Sequence, residues 1–198
     1  FGSVCSLYRL NPDIITLGKI VGGGLPIGVV CGKKEIMKVA NPVENRYKEQ
    51  LCYVGGGTFS SNPLTMTAGY ATLDYISKNR QTVYNKINKL GDMARNGLRK
   101  LFSDYQLKTK VTGAGSLFLT HILSNKVNDI MNANDVALSD NETLAKYHLS
   151  LMTKYGIIFL HHKMGAISTA HDAIDIQNLI NATEKIIESD TLRLSRKH

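Results

Sequence analysis

The chain has no tryptophan, only four prolines and three cysteines among its 198 residues, and just 7% of it is aromatic. Cys5, Cys31 and Cys52 are odd in number and widely spaced, so they form neither a CxxC pair nor a zinc-ligand pattern, and reduced thiols are the expectation. No apolar run approaches the roughly 20 residues of a membrane-spanning helix. No basic-then-apolar leader opens the chain either, and the expected location is cytoplasmic, with no membrane partner. The first residue is Phe1 rather than Met, from which further sequence upstream is expected. The histidines at 121, 148, 161, 162, 171 and 198 include no HExxH and no i, i+4 pair, so no metal site is expected.

What is present is an ordinary globular composition, 43% hydrophobic and 20% charged, which excludes disordered and collagen-like chains. The net charge is +8, and most of the excess lies between Lys78 and Lys110, where nine Lys or Arg residues face only Asp92 and Asp104. Val83, Ile87, Leu90, Ala94, Leu98 and Leu101 recur there in steps of three and four. That spacing makes the basic residues the solvated side of an amphipathic helix over 82–102, and no nucleic-acid partner is expected.

Along the chain, residues 13–32 read as strand, glycine-rich loop and strand, with Ile27-Gly28-Val29-Val30-Cys31 as a buried apolar run. A short helix over 33–40 ends at Asn41-Pro42, and a polar excursion runs to about residue 50. Asn62 caps a helix over 63–78 whose first residue is Pro63. Strands are expected at 108–111 and 116–122 around Gly113-Ala114-Gly115, then a polar loop over 124–140 with a turn of helix. A helix follows over 142–155, stopped by Gly156. Short strands come next at 157–160 and 166–168, then a helix over 174–188 capped by Asp172, and a fraying basic tail.

Two glycine clusters invite a nucleotide reading and fail it. Gly18-Lys19 has Asp13 where a P-loop needs its first glycine, and Gly113-Ala114-Gly115 meets Phe118 where a dinucleotide fingerprint needs Gly or Ala. The segment that stands out is Pro12-Asp13-Ile14-Ile15-Thr16-Leu17-Gly18-Lys19-Ile20-Val21-Gly22-Gly23-Gly24-Leu25-Pro26-Ile27-Gly28. Lys19 follows an apolar strand and is flanked by glycines that let a ligand approach the backbone closely. An amine placed there can lose its hydration and form an imine with an aldehyde.

These residues resemble the lysine motif of the class III, or ornithine-type, aminotransferases of fold type I, which use pyridoxal 5'-phosphate. By that resemblance Lys19 would be the catalytic lysine that carries the cofactor. Gly57-Thr58-Phe59-Ser60-Ser61-Asn62-Pro63-Leu64 is similar to the family's second hallmark. It implies a homodimer in which the Thr58 hydroxyl, with the Gly57-Thr58 backbone alongside, binds the cofactor phosphate of the neighbouring subunit. The implied fold class is α/β: the end of the large cofactor domain over 1–62, a connecting helix over 63–81, a whole small α+β domain over 82–190 and a tail over 191–198.

Within the family, Val111-Thr112-Gly113-Ala114-Gly115-Ser116-Leu117-Phe118 and Ile167-Ser168-Thr169-Ala170-His171 resemble the branch that converts glutamate-1-semialdehyde to 5-aminolevulinate. No Arg lies between Phe102 and Thr191, where many ornithine-type transaminases place a carboxylate-binding Arg, and this leans the same way. His162-Lys163 departs from the Phe-Glu pair usual in that branch. The resemblance implies that the chain is the C-terminal half of its enzyme, inactive alone, acting in full length on an amino acid or amino-aldehyde. Two other readings stay open: a class III aminotransferase with a different amino acceptor, and a non-catalytic fragment serving dimerisation or binding. His171 is expected to be structural.

Overall fold

The computed structural model describes residues 3–41, 56–160 and 163–189. The polar excursion to residue 50, Cys52, His161, His162 and the basic tail with His198 lie outside the described residues. The chain divides into two compact units, Phe1–Arg80 and Gln81–His198.

The first unit opens with helix α1 (Ser3–Tyr8) and strand β1 (Ile14–Gly18), followed by a 3-10 turn, Lys19–Gly22, and strand β2 (Gly28–Gly32). β1 and β2 form an antiparallel ribbon in register from Ile14 opposite Gly32 to Gly18 opposite Gly28. Asp13 and Lys33 close its open end, through the Lys33 N–H to the Asp13 carbonyl at 2.9 Å and a side-chain pair at 2.7 Å. The run over 27–31 is not buried as expected; β2 residues alternate between exposed and half-buried. A two-stranded ribbon covers neither of its faces, so only contacts along it shield alternate side chains. Helix α2 (Lys34–Met37) continues as a 3-10 turn, Lys38–Ala40. Helix α3 (Pro63–Lys78) starts as its composition dictates, with Asn62 Oδ1 accepting from the N–H groups of Leu64 at 3.0 Å and Thr65 at 3.2 Å.

The second unit is built on helix α4 (Arg80–Asp104), strands β3 (Thr109–Thr112) and β4 (Leu117–Ile122), helices α5 (Ala133–Ala137) and α6 (Asn141–Tyr155), strand β5 (Gly165–Ala166) and helix α7 (Ala173–Glu188). The sheet is antiparallel, in the order β3-β4-β5. Leu98, Val111, Leu151 and Ile186 are buried at the centre of its core, which gathers apolar residues from α4, the sheet, α6 and α7. Asp172 and Asp175 form a reciprocal capping box at the start of α7, and Gly156, at φ 68, ends α6.

Residues 157–160 form no strand. Phe159 turns inward, edge-on to Phe118 at 5.7 Å between centroids and stacked on His148 at 4.9 Å, while Ile158 and Leu160 stay exposed. The alternation that suggested a strand is real, but the place beside β4 belongs to β5, where Gly165 lies so close to the Phe118 ring that a side chain there would collide with it.

Much of the positive charge is spent within the unit. Arg95, Arg99, Lys86 and Lys108 each donate to a backbone carbonyl, and Lys100 and Lys110 pair with Asp104 and Asp129. Arg95 is buried, contrary to a wholly solvated basic face, because it reaches the carbonyls of Gly115 and Leu117 across the β3-β4 turn.

Candidate active site

Lys19 follows β1 directly, at φ 58, in the left-handed region that L residues rarely adopt. Gly18 before it is extended at φ −160, and Gly23, at φ 63, closes the turn by donating its N–H to the Ile20 carbonyl at 3.0 Å. The glycines allow what no other residue would. A Cβ on Gly22 would lie 2.8 Å from Ile27 Cγ2, and one on Gly23 would lie 2.6 Å from the Ala68 carbonyl carbon. From the other side, a Cβ on Gly69 of α3 would collide with the Val21 carbonyl oxygen. The turn that presents Lys19 thus rests directly on the backbone of α3.

The Lys19 side chain is exposed rather than desolvated within the described residues. With Ile20, Gly24, Leu25 and Pro26 it lines an open hollow of about 570 Å³. Gly57 and Thr58 lie in an exposed turn ahead of α3, in which the Ser60 N–H donates to the Gly57 carbonyl at 2.9 Å and the Gly56 N–H to Ser60 Oγ at 3.2 Å. Neither the Lys19 amine nor the Thr58 hydroxyl forms a hydrogen bond to another described residue. One helix orders both segments: α3 begins just after the Thr58 turn and backs the lysine turn at Ala68 and Gly69. Sequence reasoning missed Ala68 and Gly69, although a small pair inside an otherwise regular helix is the available signal for close backbone approach.

The described histidines of the second unit serve its packing and its turns. His121 is buried, with Nε2 2.9 Å from the Thr112 hydroxyl, and burial lowers its pKa. His171 Nδ1 accepts from the Ser168 N–H at 3.1 Å and holds the turn before α7. Among the described residues no group of three or more His, Cys, Asp or Glu side chains could hold a metal ion, and no helix is long and apolar enough to cross a membrane.

Residues 4–174 match the family model described as Aminotransferase class-III. The chain is 36% identical over 183 residues to glutamate-1-semialdehyde 2,1-aminomutase 2 of Lachnoclostridium phytofermentans, covering 91% of this chain and 40% of that protein. Its backbone is similar to that of an omega-transaminase from Sphaerobacter thermophilus, with TM-score 0.77, 27% identity, and coverage of 94% of this chain and 41% of the other. It is likewise similar to a transaminase solved with PLP bound, with TM-score 0.74, 26% identity, and coverage of 93% and 40%. The chain spans about 40% of the length of the curated relatives it matches.

Proposed function

This chain belongs to the class III aminotransferase family, and from that premise we propose that Lys19 bears pyridoxal 5'-phosphate in a complete cytoplasmic enzyme that converts glutamate-1-semialdehyde to 5-aminolevulinate. One observation carries the reading: an amine with no hydrogen-bond partner among the described residues, held at φ 58 at the lip of a 570 Å³ hollow by a glycine-rich turn. The identity to an aminomutase over 91% of the chain supports the choice of substrate.

The donor set suits the cofactor. A primary amine matches its aldehyde, and the Thr58 hydroxyl with the neighbouring backbone N–H groups matches a phosphate. When bound, the cofactor supplies an electron sink for the carbon that bears the migrating amino group. Lys19 Nζ would hold it at the aldehyde carbon. Once free, the same amine would take a proton from the substrate carbon and return it at the other end of the transfer. The Thr58 turn binds the phosphate of the neighbouring subunit in a homodimer. Exclusion of water from the exposed amine falls to the rest of the complete protein and to that second subunit.

The test is reductive trapping with borohydride in the complete protein, with peptide mapping, beside an assay for 5-aminolevulinate. Wild type should be tagged at Lys19 and form product, and Lys19→Ala should do neither. A tag retained in Lys19→Ala would overturn the assignment. His162-Lys163 favours a second reading, a class III aminotransferase with separate donor and acceptor. Under it, Lys19 is still tagged and amino groups pass to a keto acid, but the semialdehyde is not converted.

A further inference from the structure

We infer that Gly69 is a positioning residue for Lys19: by lacking a side chain it lets α3 seat the Val21 carbonyl, and this backbone contact holds the turn from which the amine projects. The inference deepens the cofactor reading and rests on it for its consequence in the enzyme. Glycine inside a helix weakens the helix relative to alanine, so α3 itself has no use for Gly69. The close approach does. A Cβ there would collide with the Val21 oxygen and lie 3.5 Å from its carbonyl carbon and 3.6 Å from Gly22 Cα. The contact is reciprocal, since a Cβ on Gly23 would lie 2.6 Å from the Ala68 carbonyl carbon and 2.9 Å from Thr72 Oγ1.

Val21 is two residues from Lys19 in the same 3-10 turn, which Gly23 closes by donating its N–H to the Ile20 carbonyl at 3.0 Å, so a displacement of Val21 is passed along that turn to Lys19. Lys19 carries the unfavourable backbone angle, so it is the residue that relaxes when the seat is pushed away. The geometry therefore makes the helix a template that keeps the amine aimed.

The experiment compares Gly69→Ala with Gly28→Ala in the complete protein. Gly28 belongs to the same motif, but a Cβ there meets nothing within 4 Å. Thermal unfolding reports the fold, borohydride tagging at subsaturating pyridoxal phosphate reports capture at Lys19, and the pH midpoint of the bound cofactor's absorbance reports the amine's surroundings. Gly69→Ala should fold, lose about tenfold in tagging at Lys19, the scale of one strained residue left free to relax, and shift the midpoint. Gly28→Ala should match wild type on all three.

Wild-type tagging and midpoint in a folded Gly69→Ala would overturn the inference. Should that variant not fold, Gly23→Asn carries the test, because asparagine tolerates the left-handed region while its Cβ meets the same helix. If neither folds, the contact is a requirement of the fold and the positioning role is overturned. If wild type itself shows no tag, the cofactor reading fails instead. The seat is then judged in cofactor-free protein, where amide exchange at Val21, Gly22 and Gly23 should quicken in Gly69→Ala alone, and unchanged exchange would overturn it.

Discussion

Replacing Arg95 by methionine probes how the second unit joins its longest helix to its sheet. The Arg95 side chain is 6% exposed, with one guanidinium nitrogen donating to the Gly115 carbonyl at 2.7 Å and to the Leu117 carbonyl at 2.6 Å. The other donates to Asp92 at 2.6 Å, but Asp92 is 67% exposed, and an ion pair so open to water contributes little. Hydrogen bonds from a charged donor contribute about 1.5–3 kcal/mol each. Methionine keeps the packing of the stem, and water reaches the freed Leu117 carbonyl, so the net loss should be about 2–4 kcal/mol. For a unit of this size that lowers Tm by roughly 10 °C. Far-UV circular dichroism and tyrosine fluorescence, with no tryptophan to mask the tyrosines, would follow urea and thermal unfolding of the whole chain. Asp92→Asn should lose less than about 1 kcal/mol. A loss below about 0.5 kcal/mol for Arg95→Met, or an equal loss for Asp92→Asn, would refute the carbonyl clamp.

Two buried or shielded phenols give further tests. Thr183 donates its one hydroxyl proton to the Leu179 carbonyl at 2.7 Å, so the Tyr147 hydroxyl, 2.8 Å away, must donate to Thr183, and burial raises its pKa. Tyr147→Phe should cost about 1 kcal/mol in urea unfolding and Thr183→Val more, since Val strands a buried hydroxyl; the reverse order would contradict the assignment of donors. Tyr105 donates to Glu188 at 2.8 Å, and that bond above all, then desolvation and the charges of Glu188 and Glu184, pushes its pKa up to about 12 from an ordinary value of 10.0. The folded value is the raised one, so this contribution to stability is complete below pH 10 and is lost as pH rises towards 12. Absorbance titration should show a late tyrosine near pH 12 that Tyr105→Phe removes while the buried Tyr147 stays later still, and an unchanged phase near pH 12 would assign it elsewhere.

Helices α3, α4, α6 and α7 were legible because side-chain spacing and caps act locally: Asn62, Asp172 and Gly156 do what their residue types do at helix ends. The β3-β4 hairpin was legible for the same reason, with Gly113 at φ 133 and Gly115 at φ 57 in its turn. Three features left no such trace. Arg95 reads as a solvated cation until the carbonyls it reaches are known. Residues 157–160 alternate like a strand but find the sheet edge occupied. The Gly69 seat joins backbone to backbone, and side-chain periodicity carries no record of it. At the candidate site, Lys19 and Thr58 were nameable from their motifs, but the exposure of Lys19 was not, because desolvation depends on what stands over an amine and the glycines around it say only what can approach.

Lys19 occupies a backbone angle at which glycine or asparagine would rest more easily, by about 1–2 kcal/mol for glycine. If Lys19 bears the proposed cofactor, the demands of folding and of a reactive amine pull this position in opposite directions. A chain released from that chemistry would have a downhill route at residue 19, and a lysine kept there would mark a place where function outranks stability.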